Sequence, residues 1–190
     1  MYHIKDDPRS IKSANLLYAG LMECLKKKPL AKVTVTDVTK VSTVGRATFY
    51  RSFDEVPDIL AWRCNLEFEK TLSSFVASNP PMEKEDELLL YVLRHWMSSP
   101  KILEVLIDAG RLDIIFNAFV NNAHIIMDFL ESRGIDMKTD DFEYFISVRA
   151  GFFIGIIRAW VACGKTQTPE EVARIVAEQH DQVKASELLV

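Results

Sequence analysis

The segment VTVTDVTKVSTVGRATFYRSF at 33–53 constrains this chain most, because it holds two helical runs too short to stand alone. Isolated helices below about 12 residues are marginal in water, so such runs persist only by burying a shared apolar face. Val38, Val41, Val44, Phe49 and Phe53 are available for that face, and TVG at 43–45 is the break between the runs. The alternation in VTVTDV also fits a strand, but a lone strand in a helical chain has nothing to pair with. Thr34 or Thr36 then caps the first run, its hydroxyl accepting from a free amide, with Asp37 near the positive end of the helix dipole. Gly45 is the residue free to take a positive φ in the break. The outline is a helix-turn-helix.

Ahead of it, Ile11, Ala14, Leu17, Tyr18, Leu21, Cys24 and Leu25 recur at steps of three and four on one helix face, which Pro29 closes. Behind it, DEVPDIL at 54–60 supplies acids and a first-turn proline, opening a helix that runs to about Ser78. NPP at 79–81 is a boundary, and further helices are expected near 83–98, 101–108, 112–132, 140–163 and 169–187. Pro100, Gly110, Gly134 and Gly164 punctuate them, and T-P-E-E at 168–171 opens the last. The fold class is all-α: an N-terminal three-helix domain over 1–56 and a C-terminal bundle of five to six helices over 57–190.

Charge divides the chain at the same place. Residues 1–56 hold ten Lys and Arg against six Asp and Glu, whereas the remainder holds thirteen against twenty-one. A basic module joined to an acidic one suits a first part that meets a polyanion, although an unevenly solvated surface gives the same totals. Cys24, Cys64 and Cys163 lie far apart with no signal-peptide pattern ahead of them, which points to a reducing cytoplasm and to small core residues. The most apolar stretch, GFFIGIIRAWVAC at 151–163, is shorter than a membrane span and carries Arg158, so no membrane is expected. The histidines at 3, 95, 124 and 180 have no zinc spacing, His124 and Asp128 share a helix face without further ligands, and no glycine-rich phosphate loop occurs. EKEDE at 83–87 reads as a solvated helix start. No catalytic residue, metal set or cofactor is expected.

VTVTDVTKVSTVGRATFYRSFDEVPDIL resembles the signature of the TetR family: threonine, short helix, turn, T-[LF]-Y-x-x-F, acidic helix start. The resemblance covers residues 10–62 and rests on Thr34, Val35, Val38, Val44, Thr48, Phe49, Tyr50 and Phe53. It implies a transcription regulator, a repressor, with its positioning helix at 36–42 and its recognition helix at 45–52. The implied DNA contacts are Thr34, Thr36, Lys40, Gly45, Arg46, Ala47, Thr48, Tyr50 and Arg51. Their chemistry is suitable: Arg46 can pair with a guanine edge through two hydrogen bonds, Thr48 can meet a phosphate or a thymine methyl, and Tyr50 a phosphate. Lys12, Lys40 and Arg51 add attraction that is independent of sequence.

FEYFISVRAGFFIGIIRAWVACGKTQTPEEVARIV resembles the C-terminal end of the same family, where the last two long helices pair with their copies in a second subunit. That implies a homodimer through Gly151, Phe152, Gly155, Ile156 and Trp160, and with it a palindromic operator. It also implies a small-molecule effector held between large side chains, with Trp96, Phe116 and Phe119 as walls and Asn117, His124 and Arg149 as orienting groups. A rival from another class is a helical protein-interaction module or co-regulator with weak or no DNA binding. Thr43, Ala47 and Val56 motivate it, standing where the family usually has glycine, glycine and lysine; Gly45, too, replaces a common serine cap.

Overall fold

The computed structural model describes residues 1–78, 87–135 and 138–185, and these form an all-α protein. The N-terminal helices are α1 (Pro8–Leu25), α2 (Val35–Ser42) and α3 (Arg46–Ser52), with a single 3-10 turn at Leu30–Lys32 between the first two. The long α4 (Pro57–Ala77) leads into α5 (Glu87–Ser98), α6 (Lys101–Asp108), α7 (Leu112–Asn121), α8 (Ala123–Ser132), α9 (Thr139–Ala162) and α10 (Pro169–Ala185). The expected boundary at 79–81 and most of the acidic run 83–87 lie outside the described residues.

Local chemistry accounts for the helix ends. Asp7 caps α1 by accepting from the amides of Arg9 and Ser10, and Pro8 sits in the first turn, where no amide hydrogen is needed. Along α1, Ala14, Leu17, Leu21 and Cys24 are buried as their spacing predicts, but Ile11, at the start of the same face, is 39% exposed. Gly20 is the hidden member of that face. A Cβ there would stand 2.7 Å from the Cβ of Ser42, so the absent side chain lets α1 and α2 close on each other.

The core is continuous from the small N-terminal helices into the bundle, and α4 is its spine. At its start, the Asp58 carboxylate accepts from the amides of Asp54 and Glu55 at 3.1 and 2.9 Å, tying the preceding turn back onto a helix whose N-cap, Val56, makes no side-chain bond. Further along, Trp62 meets Phe53 edge-on at 6.1 Å, Phe68 packs against Trp96, Phe119 and Phe153, and Phe75 against Tyr91 and Phe129.

The helix expected over 112–132 is two. Asn122, 3% exposed, directs its amide to the carbonyl of Ala118 at 2.8 Å and to the side chain and backbone of Asn65 on α4 at 3.2 and 3.3 Å. Those bonds hold it outside helical geometry, with φ −101° and ψ 7°, and divide α7 from α8. A second correction concerns membranes. Within α9 the 22 residues Asp141–Ala162 are long and apolar enough to cross one, more than the 151–163 stretch suggests. Phe142, Ile146, Ala150, Phe153, Ile157 and Trp160 on this helix are nevertheless core residues.

Candidate nucleic-acid interface

Thr34 is the residue that starts α2. Its hydroxyl accepts from the amide of Asp37 at 3.2 Å, while the Asp37 carboxylate accepts from the Thr34 amide at 2.8 Å, a reciprocal capping box. Lys28 adds a 2.6 Å ion pair to the same carboxylate. Hydrogen bonds from Lys28 and Thr34 hold Asp37 far below the usual carboxylate range. The capping role therefore falls to Thr34, and Thr36, an exposed residue, has its hydroxyl engaged by Arg46.

The turn is made differently from the expectation. Thr43, and not Gly45, adopts the left-handed conformation, with φ 59°. Gly45 is extended, with φ −66° and ψ 148°, and is the N-cap of α3 without a side-chain bond. The reason is position: α2 ends at Ser42, so the chain must reverse at the next residue, whichever one that is. The apolar pins are Val38, Phe49 and Phe53, all fully buried, with Val44 half-buried. Val41 is 47% exposed and takes no part. Burying each phenylalanine contributes roughly 1.5–3 kcal/mol, which fixes which face of α3 is left outside.

That outer face carries Arg46, Ala47, Tyr50 and Arg51, all exposed, with Thr48 half-buried beside them. Tyr50, 56% exposed, rests edge-on against the buried ring of Phe49 at 5.3 Å, which aims its hydroxyl outward. Lys40 on α2 is exposed as well. Arg46 donates from Nη2 to the Thr36 hydroxyl at 2.6 Å, so the first residue of α3 is tied to the first turn of α2. The candidate set thus gathers on one surface of α2 and α3, with Thr34 committed to the helix cap.

Of the candidate effector residues, Trp96 and Phe119 belong to a tight aromatic cluster with Phe68 and Phe153. The indole N–H of Trp96 is buried without an acceptor among the described residues. Phe116 is half-buried, Asn117 and His124 are exposed, and Arg149 stacks on the Phe145 ring from an exposed position on α9. A cleft of about 340 Å³ lies elsewhere, between α4 and α5, lined by Lys70, Thr71, Ser74, Tyr91, Arg94 and His95. None of the six candidates lines it.

The expected dimer residues separate into two groups. Gly151, Phe152 and Gly155 face outward, and Tyr144, Val148 and Phe152, 76%, 67% and 51% exposed, form a stripe with them along α9. Ile156 and Trp160 do not join it: they are buried within the subunit, and Trp160 donates from Nε1 to the carbonyl of Gln167 at 3.0 Å. Cys24 and Cys64 are core residues as expected, but Cys163 is exposed just past the end of α9. Among the described residues no group of three His, Cys, Asp or Glu is placed to hold a metal ion.

A set of contacts that sequence reasoning missed runs from α1 to the cleft. The Arg63 guanidinium sits 5.2 Å above the Tyr18 ring and pairs with Glu67 one turn along α4. Glu67 in turn meets His95 Nε2 at 3.2 Å. Only the Arg63 and Glu67 pair, four residues apart, was visible as helix spacing.

No family model matches the chain. It is 24% identical over 178 residues to YxbF of Bacillus subtilis (strain 168), an uncharacterised HTH-type transcriptional regulator. The match takes in 88% of this chain, which spans 44% of that relative's length. The crystal structure of Lin0861 from Listeria innocua has a similar fold, with a TM-score of 0.79 at 16% identity, over 95% of this chain and 96% of the other.

Proposed function

We propose that the chain is a helix-turn-helix transcription regulator of TetR type that inserts α3 into the major groove of duplex DNA. The carrying observation is the division of α3 into a buried face, Phe49 and Phe53, and an exposed face of Arg46, Ala47, Tyr50 and Arg51. An HTH-type transcriptional regulator among its relatives, and the surplus of positive charge in residues 1–56, support a DNA-binding role. The open stripe on α9 supports a homodimer, and hence a palindromic operator. The contacts from Tyr18 to His95 support control of DNA affinity by a small effector, with repression as the working sense. A cytoplasmic location follows from that role.

The test is a binding titration at several salt concentrations, comparing duplexes from around the gene with random duplex. One fragment should bind more tightly than random DNA, with affinity falling as salt rises. Within that complex, Arg46→Ala should relax the preference at one base pair by about 1–3 kcal/mol, whereas Tyr50→Phe should weaken all sequences alike. Failure of every fragment to exceed random duplex at low salt would leave the protein-interaction reading in its place.

A further inference from the structure

The cleft between α4 and α5 is lined by six side chains, every one of which can donate a hydrogen bond, and none of which carries a carboxylate or an amide carbonyl. Lys70, Ser74 and Tyr91 make no side-chain hydrogen bond or ion pair with other described residues. Arg94 donates only its Nε, to Glu170 on α10 at 2.7 Å, which leaves its terminal nitrogens free of that bond. Thr71 is the exception, its hydroxyl donating to the carbonyl of Glu67 at 2.6 Å. Lys70 and the terminal nitrogens of Arg94 can only donate, and the carboxylates nearest the cleft, Glu67 and Glu170, are already engaged by Arg63 and Arg94, so the surface is matched by an anion. One wall is apolar, since the Tyr91 ring packs edge-on against Phe75 at 5.4 Å and stays half-buried.

We propose that this cleft binds a small organic anion, a carboxylate or phosphate attached to a ring or short apolar body. The anionic group would take donors from Lys70, Arg94, Ser74 and Tyr91, and the body would lie on the Tyr91 ring. The volume, about 340 Å³, is at the lower end of the range for small-molecule sites, which limits the ligand to a compact one. His95 lines the same cleft with its Nε2 3.2 Å from the Glu67 carboxylate, so an anion seated there lies beside that contact. Any effect on DNA affinity rests on the regulator reading; the binding itself does not.

The experiment is calorimetric titration of the full chain, without DNA, with 2-naphthoate, its neutral analogue 2-naphthamide, and inorganic phosphate. Naphthoate should bind saturably at one site per chain, at least about tenfold more tightly than naphthamide, the difference of one charge-assisted set of hydrogen bonds. Lys70→Gln should weaken naphthoate by about tenfold while leaving the denaturation midpoint unchanged, because Lys70 is exposed. Arg94→Gln should do the same to binding, and loses the Glu170 pair besides. Phosphate binding as tightly as naphthoate would overturn the apolar half of the proposal. Equal affinity for naphthoate and naphthamide, no saturable binding of either anion, or full affinity in Lys70→Gln would overturn the anionic half. All of these readings are taken without DNA, so they stand apart from the operator titration.

Discussion

Thr43 has φ 59°, a conformation that costs a residue with a side chain roughly 1–2 kcal/mol and a β-branched one no less. The sequence offered Gly45 two positions later as the natural site for a positive φ, and the position of the helix end overrode it. Replacing Thr43 by Gly would relieve the strain but return about 0.4–1 kcal/mol through the freer unfolded chain. Thr43→Asn avoids that loss, since asparagine tolerates the left-handed region. It should raise stability by about 1 kcal/mol, read as a higher urea midpoint with unchanged slope. A lower midpoint would mean that the threonine side chain contributes something there beyond its backbone. Arg46, by contrast, was legible: its type and place at the head of a short helix marked it for a base edge. Its bond to Thr36 was not, because it joins residues ten apart across a turn whose geometry had first to be known.

At the scale of elements, the first four helices were readable because their signals are local. Capping residues, first-turn prolines and apolar steps of three and four all act within a few residues of where they stand. The division of α7 from α8 was unreadable for the opposite reason. Asn122 interrupts the helix through bonds to Asn65, 57 residues away, and nothing in the run 112–132 announces that partner. Periodicity likewise could not tell which of the two apolar faces of α9 points inward, so Ile156 and Trp160 were grouped with residues on the other side. Gly20 shows how much an element pair can depend on a missing side chain. Gly20→Val should force α2 away from α1 and cost about 1–3 kcal/mol, seen as a lower thermal midpoint. An unchanged midpoint would show that the two helices can separate without loss.

For the whole molecule, the surface of most consequence is the outer face of α9. Tyr144, Val148 and Phe152 recur at steps of four beside two glycines over which there is open space, a surface on which a second helix can approach closely. If the proposed dimer forms there, Phe152→Lys should shift the chain from dimer to monomer in light scattering, and weaken operator binding with it. A dimer that survives that change would place the interface elsewhere. In such a pair α4 acquires a mechanical meaning. It is a rigid rod of 21 residues, about 31 Å long, with Phe53 against its first turns and Tyr91 against its last. A tilt of about 4° at one end of such a rod carries the other end about 2 Å. Two of them, one per subunit, would act as the arms of a caliper whose opening is set beside the cleft and read out along the DNA.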